Sequence, residues 1–196
     1  MRNRILGCLV ITTCLALNAK AEAQDSFQLL LGGGAAIPVV PSAFTDFWNT
    51  GFNVDGTLQF KVAPEVALTA GFDVGRFGFS GLGLPYASTD GGATTISFAS
   101  VGMKLYPLAK TGSVVQLYLG FGAGFYRLNI ADMSVRVGSQ FSQVTSTPDN
   151  AFGVHTVAGI QTNDFFIEAS YLVGFTQGGA TGYLPLRIGV ILNLGP

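Results

Sequence analysis

The stretch Val114 to Leu128 restricts the possible folds more than any other part of the chain. It reads VVQLYLGFGAGFYRL. Val115, Leu117, Leu119, Phe121, Ala123 and Phe125 fall on one phase of a two-residue period, and Gln116, Tyr118, Gly120, Gly122, Gly124 and Tyr126 on the other. A period of two marks a β-strand whose faces meet different surroundings. A helix would mix the two sets and carry the penalty of interior glycines. One face is bulky and apolar. The other is too rich in glycine to be an ordinary solvated surface. A lipid-facing side and a crowded barrel interior account for both.

The same alternation recurs along the chain. It predicts strands at 27–37, 51–62, 66–79, 94–106, 114–128, 151–161, 165–176 and 183–194. Such lengths match the roughly 9–11 residues a tilted strand needs to cross a bilayer. The connections run long, tight, long, short, long, tight and medium, and an even strand number returns both ends to one side. Bacterial barrels pair short periplasmic turns with longer outer loops. The expected fold is therefore all-β, an eight-stranded antiparallel transmembrane β-barrel with its termini in the periplasm. One strand is irregular. Between Thr94 and Tyr106, Lys104 shares a phase with Ile96 and Phe98, which a bulge or a membrane-edge position would explain. The longest loop, 131–150, is polar and rich in Ser and Thr.

Composition agrees. Hydrophobic residues make up 48% of the chain and charged residues 11%, against about 25% charged in a typical soluble domain. Past the N-terminus no apolar run reaches the roughly 18 residues of a membrane helix. At the N-terminus, Arg2 and Arg4 precede an apolar stretch from Ile5 to Leu17, and Ala19-Lys20-Ala21 or Ala21-Glu22-Ala23 offers a cleavage pattern. Residues 1–23 read as a secretory signal peptide and 24–196 as the barrel domain. The 2 cysteines, Cys8 and Cys14, both lie in that leader. An exported chain without them has no disulfide, thiol nucleophile or cysteine metal site. Without Arg2, Arg4, Lys20 and Glu22, 10 basic and 11 acidic residues become seven and ten, a net charge of −3. No basic patch remains to suit a nucleic acid.

If the bulky phase faces lipid, the other phase lines the interior. It includes Asp55, Lys61, Asp73, Glu168 and Arg187, expected to form an interior polar network. Charges in a narrow, poorly hydrated space are costly unless paired, and Glu168 and Arg187 fall on neighbouring strands. An eight-stranded barrel is just wide enough for side chains to fill it, so the interior is expected to be plugged. Aromatics near the strand ends, including Phe27, Phe44, Trp48, Phe52, Phe77, Tyr106, Tyr126, Phe165, Phe175 and Tyr183, suggest interfacial belts.

The sequence offers little chemistry. His155 is the single histidine, with Glu168 and Ser170 on the next predicted strand. A Ser-His-acid set is defined by geometry, however, and a hydrogen-bonded interior histidine is the simpler reading. No catalytic, cofactor-binding or metal-ligating residues are assigned. Asp46, Asp90, Asp132 and Asp149 lack calcium-loop spacing. The Gly32-Gly33-Gly34 run has no following lysine for a phosphate loop.

The glycine-rich LLLGGGAAIP, the segment LYLGFGAGFYRL, the strand end GMKLYPL and the terminal LPLRIGVILNL resemble the small outer-membrane β-barrel family of Gram-negative bacteria. That family contains OmpA-like transmembrane domains and opacity-type proteins. The resemblance implies a bacterial outer-membrane location and a structural or surface-interaction role. It also implies contact with outer-membrane lipid including lipopolysaccharide, a possible extracellular ligand at the loops, a monomer and no cofactor. A narrow small-solute channel and a lipid-modifying barrel enzyme are the alternatives. Barrel deacylases of this kind carry an H-x-S-N pattern, whereas His155 is followed by Thr156-Val157-Ala158.

Overall fold

The alternating segments pair with their sequence neighbours, and the ladder closes on itself. The computed structural model describes residues 27–81, 87–108 and 114–194. The barrel strands are β1 (Phe27–Val40), β2 (Gly51–Ala63), β3 (Val66–Phe77), β5 (Thr94–Leu105), β6 (Gln116–Ile130), β9 (Asp149–Gln161), β10 (Phe165–Thr176) and β11 (Gly179–Asn193). Their order around the closed barrel is β1-β11-β10-β9-β6-β5-β3-β2, and every pairing is antiparallel. Closure leaves no strand edge, as lipid requires. The expected signal peptide lies outside the described residues.

The phases settle as the sequence implies. Leu117, Leu119, Phe121 and Phe125 of β6 are exposed on the outer wall, and Tyr118 and Tyr126 are buried inside. The outer wall carries Phe52, Val54 and Leu58 of β2, Leu68 and Phe72 of β3, and Ile167 and Ile188 further round. A water-soluble protein would not expose so continuous an apolar surface. Hydrocarbon is its natural solvent.

Four details differ from expectation. β5 has no bulge: its pairing with β3 and β6 is uninterrupted, and Ile96, Phe98 and Lys104 all point inward. The strand looked irregular because apolar residues fill part of this interior. Second, the segment expected as loop 38–50 extends β1 to Val40 and then forms helix α1 (Ser42–Phe47). Third, the loop expected at 131–150 is largely a hairpin, β7 (Met133–Val137) and β8 (Gln140–Val144). With β4 (Ala87–Gly91) it makes a 3-stranded sheet in the order β4-β7-β8. Fourth, the connection expected at 177–182 shortens, because β11 already begins at Gly179.

The barrel thus has two unlike ends. α1 and the small sheet stand at the loop end. The first and last described strand ends and the tight turns at 63–66 and 162–165 stand at the turn end. The aromatic belts are partly an interior feature. Phe27, Phe52, Phe165 and Phe175 are exposed, but Phe44, Phe77, Tyr106, Tyr126 and Tyr183 are buried.

Candidate functional site

The interior is built in three layers. At the loop end, Phe44 of α1 packs edge-on against Phe77, with ring centroids 5.0 Å apart, and Phe77 against Tyr183 at 5.2 Å. Ala36, Ile96, Phe98, Tyr126 and Leu172 complete this cluster. Trp48 packs against it and donates its indole N–H to the Gly92 carbonyl at 3.0 Å. The mouth is stoppered by apolar groups. At the turn end, Gln59 donates to Gln28 at 2.9 Å, and Gln28 to Asn193 at 2.8 Å. The Tyr106 hydroxyl lies within 2.9 Å of Gln59 Oε1 and 3.0 Å of Gln161 Oε1. Its one hydrogen serves one acceptor at a time.

Between these layers lies a charged cluster. Arg187 Nη1 is 3.3 Å from Asp55 Oδ2 and 3.0 Å from Glu168 Oε1, and Nη2 is 2.8 Å from Asp73 Oδ2. Lys104 Nζ reaches Glu168 Oε2 at 3.3 Å. The Tyr118 hydroxyl donates to the same oxygen at 2.6 Å, and Lys104 Nζ sits 4.2 Å from the Tyr118 ring centroid. Asp73 also accepts from Asn53 Nδ2 at 2.8 Å and from the Tyr183 hydroxyl. The Arg187–Asp73 contact is close but not aligned as a hydrogen bond, since Asp73 Oδ2 has no hydrogen-bond partner among the described residues. It acts as charge against charge. Two cations thus meet three carboxylates in a space where each ion would be costly alone.

Asp55, Asp73, Glu168 and Arg187 are brought together, and Lys61 is not. Lys61 faces the interior's turn end, its Nζ 5.7 Å from the Tyr106 ring centroid. Asp55 and Lys61 share one strand, and six residues along a strand span about 20 Å. That is too far for a shared network. Lys104 takes the second cationic place. The signal for Lys104 was present in the sequence: Val101, Met103 and Leu105 form an apolar phase, which puts Gly102, Lys104 and Tyr106 opposite. Asn53, Ser170 and Tyr183 also belong to the site, and Arg187 Nη2 donates to Ser170 at 3.4 Å.

Glycine makes this density possible at two places. A Cβ on Gly159 would lie 2.6 Å from the Tyr118 hydroxyl and 2.6 Å from the Ile167 carbonyl oxygen, and one on Gly122 would lie 2.7 Å from His155 Cε1. His155 itself meets Phe98 edge-on at 5.5 Å. No hydrogen bond joins it to Ser170 among the described residues, and both Glu168 oxygens are engaged by cations. A cavity of about 40 Å³ borders Asp55, Asp73, Lys104, His155 and Arg187. That volume holds roughly two or three waters.

No family model matches the chain, and no curated protein matches it in sequence. Among solved structures, Neisserial surface protein A superposes with a TM-score of 0.51 at 16% identity, over 86% of this chain and 97% of that one. The fold is that of a small outer-membrane β-barrel. Two more distant likenesses are Ail, the attachment invasion locus protein of Yersinia pestis, and the N-terminal β-barrel domain of Pseudomonas aeruginosa OprF. Ail gives a TM-score of 0.44 at 15% identity, over 85% of this chain and 97% of that one. The OprF domain gives 0.41 at 13%, over 87% and 100%. At such identities the likeness concerns architecture alone.

Proposed function

We propose that this is a monomeric outer-membrane barrel that works at the cell surface, as a structural or surface-interaction protein, and neither conducts solutes nor catalyses a reaction. The carrying observation is the contrast between a stoppered interior and an elaborated loop end. Aromatic, charged and glutamine layers succeed one another from mouth to mouth, with a small cavity beside the charged one. Above it, the β4-β7-β8 sheet offers Val137, Phe141 and Val144 to solvent, Phe141 with 63% of its surface exposed. Contacts available to a macromolecule lie there. The outer wall supports contact with outer-membrane lipid including lipopolysaccharide. The enzymatic alternative has no support from His155, which packs on Phe98 rather than on a nucleophile.

Thiol labelling tests the orientation. The only cysteines are Cys8 and Cys14, in the expected leader. A Gln143→Cys substitution in β8 therefore gives a single thiol on the exported chain. A membrane-impermeant maleimide should label it in intact cells. Labelling only after permeabilisation would reverse the orientation. In planar bilayers the purified protein should give no conductance steps above background, and regular steps would restore the channel reading.

A further inference from the structure

The outer wall is not apolar throughout, and its two arginines stand close together among polar neighbours. On β3 the outward phase runs Val66, Leu68, Ala70, Phe72, Val74 and then Arg76. On β6 it runs Leu117, Leu119, Phe121, Ala123, Phe125 and then Arg127 and Asn129. Between them, β5 runs outward from Leu105 through Met103, Val101 and Ala99 to Ser97 and Thr95. The runs on β3 and β6 are about as long as a strand's passage through hydrocarbon, and the one on β5 is shorter. Each turns polar at the loop end.

The ladders bring these residues side by side. Arg76 is opposite Thr95, Ser97 is opposite Arg127, and Arg127 is opposite Asn150 on β9. Strands lie about 4.8 Å apart and alternate residues about 6.7 Å apart. The two arginine backbones are therefore roughly 12 Å apart across β5, with both hydroxyls between them. Arg76 and Arg127 are exposed, and neither has an ion pair among the described residues. The carboxylates of Asp55, Asp73 and Glu168 lie on the other side of the wall. At the turn end, the outward residues Phe27, Leu105, Leu117, Ile160, Phe165 and Leu192 include no cation.

We infer that Arg76, Thr95, Ser97, Arg127 and Asn129 form a binding site on the barrel's outer wall for the phosphorylated headgroup of an outer-leaflet glycolipid of the lipid A type. The inference rests on the loop end facing outward in an outer membrane. Two guanidiniums at headgroup depth match a headgroup bearing two phosphates, because each can hold a phosphate by two parallel hydrogen bonds. The hydroxyls and the Asn129 amide suit sugar hydroxyls between the phosphates. The neighbouring Ala99 and Ala123, small and outward-facing, leave room below for acyl chains.

The test uses the full chain in phosphatidylcholine nanodiscs doped with diphosphoryl lipid A, with phosphatidylglycerol in a parallel arm. Native mass spectrometry reads the lipid retained. Wild type should retain lipid A in preference to phosphatidylglycerol. Each lost cation near a charged surface weakens attraction about fivefold, so Arg76→Gln with Arg127→Gln should lose roughly 25-fold. Arg136→Gln, on the outer sheet, should leave retention unchanged. Heat-modifiable gel migration checks that each variant is a folded barrel, so failure of the barrel reading is seen separately from failure of the site. Equal retention by wild type and the double variant would overturn the site. Equal retention of the two lipids by wild type would overturn its assignment to the outer-leaflet glycolipid.

Discussion

Replacing Arg187 with methionine isolates the electrostatic core of the barrel. Methionine keeps much of the side-chain volume and removes the charge. Asp55 then loses its only ion-pair partner among the described residues. Asp73 loses the one cation it meets among the described residues but keeps Asn53 and Tyr183 as donors. Glu168 keeps Lys104 and Tyr118. Removing one partner of a buried ion pair costs about 3–5 kcal/mol, and Asp55, with no replacement, should set the loss within that range. Lys104→Met strands no carboxylate, because Arg187 still holds Glu168, so its cost should be smaller, about 1–3 kcal/mol. Pairing Arg187→Met with Asp55→Asn should recover part of the loss, since the stranded charge is then gone. The assay is reversible urea unfolding in phospholipid bilayers, followed by Trp48 fluorescence and heat-modifiable migration. A cost below about 1 kcal/mol for Arg187→Met would refute the reasoning. So would a larger cost for Lys104→Met, or no recovery with Asp55→Asn.

Other outcomes follow from single contacts. Gly159→Ala should cost about 1–3 kcal/mol through overpacking, since its Cβ would collide with the Tyr118 hydroxyl; urea unfolding reads the loss, and a neutral effect would argue against the Tyr118–Glu168 contact. Phe44→Ala should cost about 3 kcal/mol and shift Trp48 emission to the red, because Trp48 packs on Phe44 with centroids 5.6 Å apart. Excising residues 133–144 should leave the heat-modifiable shift intact, because the β4-β7-β8 sheet shares no ladder with the barrel. His155→Ala should leave the lipid A mass spectrum of expressing cells the same as with wild type; a difference between the two would revive the enzymatic reading.

Much of the architecture was legible because a strand between lipid and a narrow interior must alternate. β10 shows this most directly: Phe165–Thr176 is both the predicted and the observed strand. Asp55, Asp73, Glu168 and Arg187 were legible as interior charges because each sits on the phase opposite a bulky apolar row. Lys61 satisfied the same rule and still lies elsewhere, since phase gives a side chain's face and not its depth. Depth depends on strand stagger, which pairing across the barrel sets. The aromatic stopper was not legible, because the phases put Phe77 and Phe98 on the interior face but nothing periodic announces that α1 supplies Phe44 to meet them.

The alternation in Val114–Leu128 by itself determined a barrel strand, its two faces and, repeated eight times, the closed sheet. The phases follow from local backbone geometry, which each residue carries with it. Only the tertiary structure decided that Lys104 joins Glu168, that 133–144 pairs with β4 as a small sheet, and that Arg76 and Arg127 share one patch of wall. Those residues are far apart in sequence, and strand register together with barrel closure brings them together.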